Sequence, residues 1–313
     1  MASRNLMMGI MFLSQTALGV LGNCACLGYF ILTDTTGRKA KPTDVIVKHL
    51  IGANFMILLF KGIPHTMAAF GMIYFLGDVA CKLIFYFYRV ARGVSLGSIS
   101  LLSIFQAILI KPCNSNSLQI KIREPKIIGS SLGLSWVLQL LLNAFVPMIM
   151  TDIVEARNLT VIRDFAYCVL IDPNHLRQPL YVFLLSSIDV LCVGLMVWAS
   201  GSMVLVLWKH KQRVQHIHSS LSRLSSPETR ATQSILALVS IFMLLYLNSS
   251  ILTLCFPVFY VTSGWLVNAK VAMSACFPAV CPFVLLTHYT TVSKLRCNCS
   301  REEAQEPHIV KKL

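Results

Sequence analysis

Residues 127–150 read IIGSSLGLSWVLQLLLNAFVPMIM, a run without one charged side chain. About 20 apolar residues, rising 1.5 Å each in a helix, cross the hydrocarbon core of a bilayer. Ile127–Met150 therefore predicts a membrane span. Comparable runs lie near 7–32, 45–70, 82–110, 179–208, 234–260 and 268–288, which makes seven in all. The run at 45–70 is the weakest, because Lys48, His49, Lys61 and His65 interrupt it. Boundaries are marked by Arg38-Lys39-Ala40-Lys41-Pro42, by the segment from Lys121 to Lys126, and by the segment from Lys209 to Arg213. The expected fold class is an all-α membrane protein, a seven-transmembrane helix bundle. Residues 1–6 are its N-terminal segment, 7–288 the bundle and 289–313 a tail.

Composition agrees. The chain has 313 residues, 56% of them hydrophobic and 13% charged, where a soluble domain carries about 25% charged residues. Mean hydropathy is +0.69. The charge that remains is lopsided, 27 Lys+Arg against 13 Asp+Glu, a formal net of +14. A nucleic-acid-binding module would stripe those cations over a polar surface, which this chain lacks. Eleven cysteines are too dilute, and odd in number, for a disulfide scaffold. Instead the cations sort by loop. Eighteen fall in the segment after span one with the start of span two, in the segments after spans three and five and in the tail, and only five (Arg4, Lys82, Arg157, Arg163, Arg177) on the opposite side. The positive-inside rule then sets the N-terminus outside and the tail in the cytoplasm. The first apolar run is too long for a signal-peptide core and reads as a retained signal anchor. With about six residues ahead of it, no outer ligand-binding domain is expected, so a ligand site belongs among the helices or their outer loops.

Two cysteines are placed on the outer, oxidising side: Cys81 at the mouth of span three and Cys168 in the loop 151–178. A single bridge between them is expected, against the alternative of two free thiols, and it would pin the loop over the bundle. Asn158-Leu159-Thr160 is a glycosylation sequon in the same loop. The matches at Asn248 and Asn298 fall in a span and in the cytoplasm, which discards them. Cys297 and Cys299, just beyond span seven, are palmitoylation candidates, with unmodified thiols the alternative.

Arg89-Val90-Ala91-Arg92-Gly93-Val94-Ser95, followed by Leu101-Leu102-Ser103-Ile104-Phe105-Gln106-Ala107-Ile108, resembles span three of vomeronasal type-1 receptors. Phe277-Pro278-Ala279-Val280-Cys281-Pro282-Phe283 is similar to their span seven, and the short N-terminus with Gly22-Asn23 to their span one. The resemblance covers essentially the whole chain and implies a G-protein-coupled pheromone receptor of the plasma membrane. It further implies small volatile or steroid-like ligands and a Gi-type G protein. The chain departs from the wider rhodopsin-like pattern. Gln106 stands where the arginine of Asp-Arg-Tyr is usual, Asn54 where span two usually carries a sodium-binding acid, and Asn-Pro-x-x-Tyr is absent from span seven.

Four basic residues lie within or at the edge of spans, Lys61, Arg89, Arg92 and Lys270, and of the acids only Asp189 is well inside one. An intramembrane charge costs several kcal/mol unless paired or hydrated. Arg92 lies about 16 Å below Cys81 and Asp189 about 15 Å into span five at the helical rise. Their depths match, and spans three and five are neighbours in the receptor fold that the resemblance implies, so a pair is expected. Phe85, Tyr88, Arg92, Ser95 and Ile99 share one helical stripe, with Arg89 close to it. One reading makes this stripe the wall of a ligand cavity, with Arg92 as its polar anchor and Asp189 tuning it. The other makes Arg92 and Asp189 an internal brace. For Arg89, snorkelling to the outer headgroups is the alternative, and for Lys61 and Lys270 it is favoured. Further candidates are aromatic: Tyr86, Tyr181, Phe183, Tyr246, Phe256 and Tyr260, each more simply read as packing. A mostly apolar cavity with few polar anchors is the usual form of a small-molecule site.

The segment Lys209–Thr232 carries five Lys/Arg, three His and a Ser-rich stretch. As a basic cytoplasmic loop it touches anionic lipid headgroups; by the resemblance it also borders the docking groove for a G protein. No catalytic constellation, phosphate loop or cofactor motif is present, and His216 and His218 lack further ligands for a metal. No nucleic-acid partner is expected. The leading expectation is a chemosensory receptor. A bitter-taste-type receptor is the nearer rival, and a transporter the more distant one, disfavoured by the lack of paired halves and of several intramembrane acids.

Overall fold

A computed structural model describes residues 2–37, 41–72, 75–110, 125–153, 161–164, 167–171, 177–217, 240–241, 244, 268–269 and 271–286. Among these, five helices are long and apolar enough to cross a membrane, and Val271–Leu286 is a shorter apolar helix. The predicted sixth span, 234–260, lies almost wholly outside the described residues.

Helix α1 (Ala2–Thr35) forms the first span. The second is α2 (Pro42–Ile57), a single π turn (Leu58–Gly62), and α3 (Ile63–Ala69) in unbroken succession. Pro42 opens α2, where its missing N–H would have been unpaired anyway. The π turn precedes Pro64, which has no N–H to give and whose ring crowds the carbonyl four residues back; the widened turn closes with the Ile63 N–H on the Leu58 carbonyl. Helix α4 (Asp78–Ile110) is the third span. It starts four residues ahead of the predicted edge because Asp78 sits well at a helix N-terminus and pairs with Lys82 one turn on. The fourth span is α5 (Pro125–Asn143) followed by a one-turn α6 (Val146–Ile149). The uncharged run that reads as one helix is thus broken, at a point that Pro147 explains.

Helix α7 (Arg177–Ile217) is the fifth span and continues past the Lys209–Arg213 cluster. That cluster marks a membrane edge, not a helix end, since Lys and Arg are good helix formers. The last described helix is α8 (Val271–Leu286).

Helix α4 is central, packed against α2, α5 and α7. The largest core cluster joins all these layers: Phe30 of α1, Leu50 and Ile51 of α2, Ile99 and Leu102 of α4, Leu132 of α5, Met196 of α7, and Phe277 and Leu285 of α8. Where α1 meets α8, glycines permit close approach, as is common between membrane helices. Asn23 there donates to the Gly19 carbonyl at 2.7 Å and to the Pro278 carbonyl at 2.9 Å. A Cβ placed on Gly19 would stand 2.7 Å from Leu58 Cδ1 and 3.0 Å from the Ala279 Cα, whereas one on Gly28 meets nothing within 4 Å. Gly19→Ala is therefore expected to destabilise by roughly 1–2 kcal/mol through overpacking. Gly28→Ala should be neutral or stabilising by up to about 1 kcal/mol. Thermal melting of the purified receptor checks the contrast, and equal melting temperatures would contradict the close α1–α8 contact.

Candidate functional site

The chain between the fourth and fifth spans folds over the Cys81 end of α4. Three short strands, β1 (Met150–Thr151), β2 (Val161–Asp164) and β3 (Val169–Ile171), form an antiparallel sheet in the order β1-β3-β2. Register pairs Met150 with Leu170 and Thr151 with Val169, and Asp164 with Val169 on the other edge. Hydropathy alone makes this stretch a loop, although Val161-Ile162 and Val169-Leu170-Ile171 are β-forming runs. The Cys81–Cys168 disulfide fastens the sheet to α4, with a Cα–Cα distance of 5.8 Å. Beside it Tyr167 drops into the bundle and is 2% exposed. Its ring packs edge-on to His65 at 5.0 Å and against Phe85 at 5.8 Å and Phe75 at 6.3 Å. Burial pushes the Tyr167 phenol above its ordinary range, so the lid is a neutral aromatic at physiological pH.

Below this lid the α4 stripe faces the interior. Phe85 touches Tyr167, and one turn further along the stripe the polar contacts begin. Tyr88 receives a hydrogen bond from the Lys61 ammonium at 2.9 Å, with that ammonium 4.6 Å from the ring centroid. Arg92 Nη1 meets Asp189 Oδ2 of α7 at 3.2 Å, with both side chains about a quarter exposed. Ser95, fully interior, donates to Asn54 Oδ1 of α2 at 2.8 Å. The stripe thus engages the lid, the second span and the fifth span in turn. Arg89 points elsewhere. Its Nε donates to Asn143 Oδ1 of α5 at 3.4 Å, so it leans on the fourth span and does not reach outward. Tyr86 also turns to α5, donating to the Leu140 carbonyl at 3.1 Å.

Lys61 corrects the snorkelling expectation. Its ammonium turns inward and donates also to Ser274 Oγ of α8 at 2.6 Å, tying the second, third and last described helices together. The signal is present in the sequence. Leu50, Asn54, Ile57 and Leu58 are all buried, and Lys61 follows them at helical spacing on the same face. Tyr167, His65 and Ser274 escape sequence reading for a different reason: each is one ordinary residue in an ordinary segment, with no periodicity to mark it. Asn158, Tyr246, Phe256, Tyr260, Lys270, Cys297 and Cys299 lie outside the described residues. Tyr181 and Phe183 fall in α7, with their side chains outside that description. Gln106 is buried at the far end of α4, next to Phe105.

The arrangement is an aromatic-lidded interior with a few convergent polar groups. Among the described residues no group of three or more His, Cys, Asp or Glu is placed to hold a metal. Compared with known proteins, the sequence pattern of the "Vomeronasal organ pheromone receptor family" matches residues 6–297. The chain belongs to this vomeronasal type-1 receptor family. Among relatives of this vomeronasal-family chain, vomeronasal type-1 receptor 4 of Homo sapiens is 48% identical over 288 residues, covering 92% of the chain and 95% of the relative. Vomeronasal type-1 receptor 3 of Homo sapiens is 42% identical over 313 residues, covering 99% and 100%. Olfactory receptor class A-like protein 1 of Danio rerio is 27% identical over 302 residues, covering 95% and 94%. In fold the vomeronasal-family chain is similar to squid rhodopsin, with a TM-score of 0.71 at 13% identity over 94% of this chain and 84% of that one. The seven-helix receptor bundle expected from the sequence is thereby established. This member of the vomeronasal family is a multi-pass plasma-membrane protein and a G-protein-coupled chemosensory receptor.

Proposed function

We propose that this receptor binds small, mostly apolar ligands, volatile or steroid-like, in the half of the bundle beneath the Tyr167 lid, and signals through a Gi-type G protein. The observation that carries the reading is the Arg92–Asp189 pair at 3.2 Å, a charge pair set deep among apolar helices. Intramembrane ionisable groups mark functional sites by default. Arg92 supplies the polar anchor, Asp189 sets its orientation, and Phe85 and Tyr88 supply apolar wall. Ligand binding shifts the bundle toward the state that the G protein prefers, by no more than its differential affinity for the two states.

The distribution of basic residues supports an outer N-terminus, with residues 1–6 outside and 289–313 a cytoplasmic tail. In that orientation Asn158 is the glycosylation site and Cys297 and Cys299 are the palmitoylation sites. Tyr181 and Tyr246 complete the set of residues proposed to line the ligand cavity, with Arg89 at its margin.

The test is G-protein activation in cells expressing the full chain, over a panel of volatiles, steroids and bitter compounds. A volatile or a steroid is expected to lower cyclic AMP, and the Gi dependence is checked by a toxin that inactivates Gi. Uptake of panel compounds without G-protein activation, or responses confined to bitter compounds, would contradict the proposal.

A further inference from the structure

Lys61 is held in a way that neither its own helix nor its neighbours explain. Two of its three N–H bonds go to the Tyr88 hydroxyl at 2.9 Å and to Ser274 Oγ at 2.6 Å. Both partners are neutral oxygens. The ion pairs among the described residues are Lys48–Asp34, Lys82–Asp78 and Arg92–Asp189, and none includes Lys61. The sequence also limits what lies beyond them: residues 234–288, which hold the last two spans, contain no Asp or Glu at all. Asp189, the one acid well inside a span, already faces Arg92. Lys61 is therefore a cation within a span that has no carboxylate partner among the described residues. In a medium of low dielectric such a charge calls for a counter-charge.

Donors for one are present. The Lys61 ammonium keeps a third N–H. The Tyr88 oxygen accepts from Lys61, so its own O–H is left to donate, and Ser274 already donates to the Val271 carbonyl at 2.7 Å. Lys61 and Tyr88 together offer converging donors from two spans.

We infer that Lys61 and Tyr88 form an anion site in the Cys81-end half of the bundle, occupied by a monovalent anion: a free halide, or the carboxylate of a bound organic acid. Only the organic-acid source rests on the proposed ligand cavity. The halide source stands without it, and the following test needs no signalling.

The full-length receptor, purified in lipid nanodiscs, is melted in sodium chloride, bromide, gluconate or hexanoate at constant ionic strength. Chloride and bromide are expected to raise the melting temperature over gluconate in a saturable way, by about 5 °C near a hundredfold excess over the dissociation constant. Lys61→Met should abolish the shift, and Tyr88→Phe should raise the half-saturating halide concentration several-fold. Stabilisation by hexanoate that competes with chloride assigns the site to a ligand acid group, and stabilisation by halides alone assigns it to a free ion. Equal melting in all four salts overturns the inference, as does a full halide shift in Lys61→Met. Should Lys61→Met fail to fold, an unchanged halide midpoint in Tyr88→Phe overturns it instead.

Discussion

Cys168→Ser is expected to reduce the receptor at the cell surface to roughly a tenth or less of the wild-type level, because it removes about 4 kcal/mol of stabilisation. The bridge closes a separation of 87 residues, from the start of the third span to the lid. In the chain-entropy account a loop of that size is among the more strongly stabilised by cross-linking. The loss reaches further than the bond itself. Tyr167 precedes Cys168 directly, and its contacts with His65, Phe75 and Phe85 depend on the sheet being held down. Met150 and Val146 share that cluster, so the end of the fourth span loosens as well. Surface staining of an N-terminally tagged receptor, with total expression as reference, measures the effect. Cys24→Ser is the matched control, since Cys24 is a free, exposed thiol, and it should stain as wild type. Normal staining of Cys168→Ser would show that the lid stays in place without its tether.

Asp189→Asn is the second large effect. Removing one member of a buried ion pair costs about 3–5 kcal/mol because the other charge is stranded. Here both side chains are about a quarter exposed, and screening lowers the expectation to about 2 kcal/mol. The single variant should show a several-fold lower surface level. Adding Arg92→Gln to it removes both charges together, leaves nothing stranded, and should restore most of that level. A single variant with wild-type surface level and response would mean that Asp189 does not hold Arg92.

Much of this is legible in the sequence because membrane spans obey strong and simple constraints. The apolar runs mark where the described helices run, and the loop cations set the side on which each loop is expected. Depth along two helices, with the neighbourhood of spans three and five that the family resemblance implies, matches Arg92 with Asp189, because charges so deep have few possible partners. What escapes has physical causes too. The uncharged run to Met150 gives no hydropathy cue to its own break, which Pro147 imposes on the backbone and not on polarity. The basic cluster at Lys209–Arg213 looks like an element boundary, although hydropathy reports the membrane edge and α7 passes through it. Charge alone assigns Lys61 to the outer mouth, whereas its helical face, set by Leu50, Asn54 and Leu58, carries it inward. The lid sheet and Tyr167 depend on a tertiary tether, which no local pattern encodes.

The central claim is that Arg92 serves the ligand and is more than one half of a brace. The most direct measurement is the concentration–response curve for G-protein activation by the most active panel compound, on wild type and on the Arg92→Gln, Asp189→Asn double variant at matched surface level. The loss of one charged-group hydrogen bond, about 1.5–3 kcal/mol, predicts a shift to at least tenfold higher concentration. A double variant that reaches the surface and responds at the wild-type concentration would contradict the account and leave the pair as structure alone.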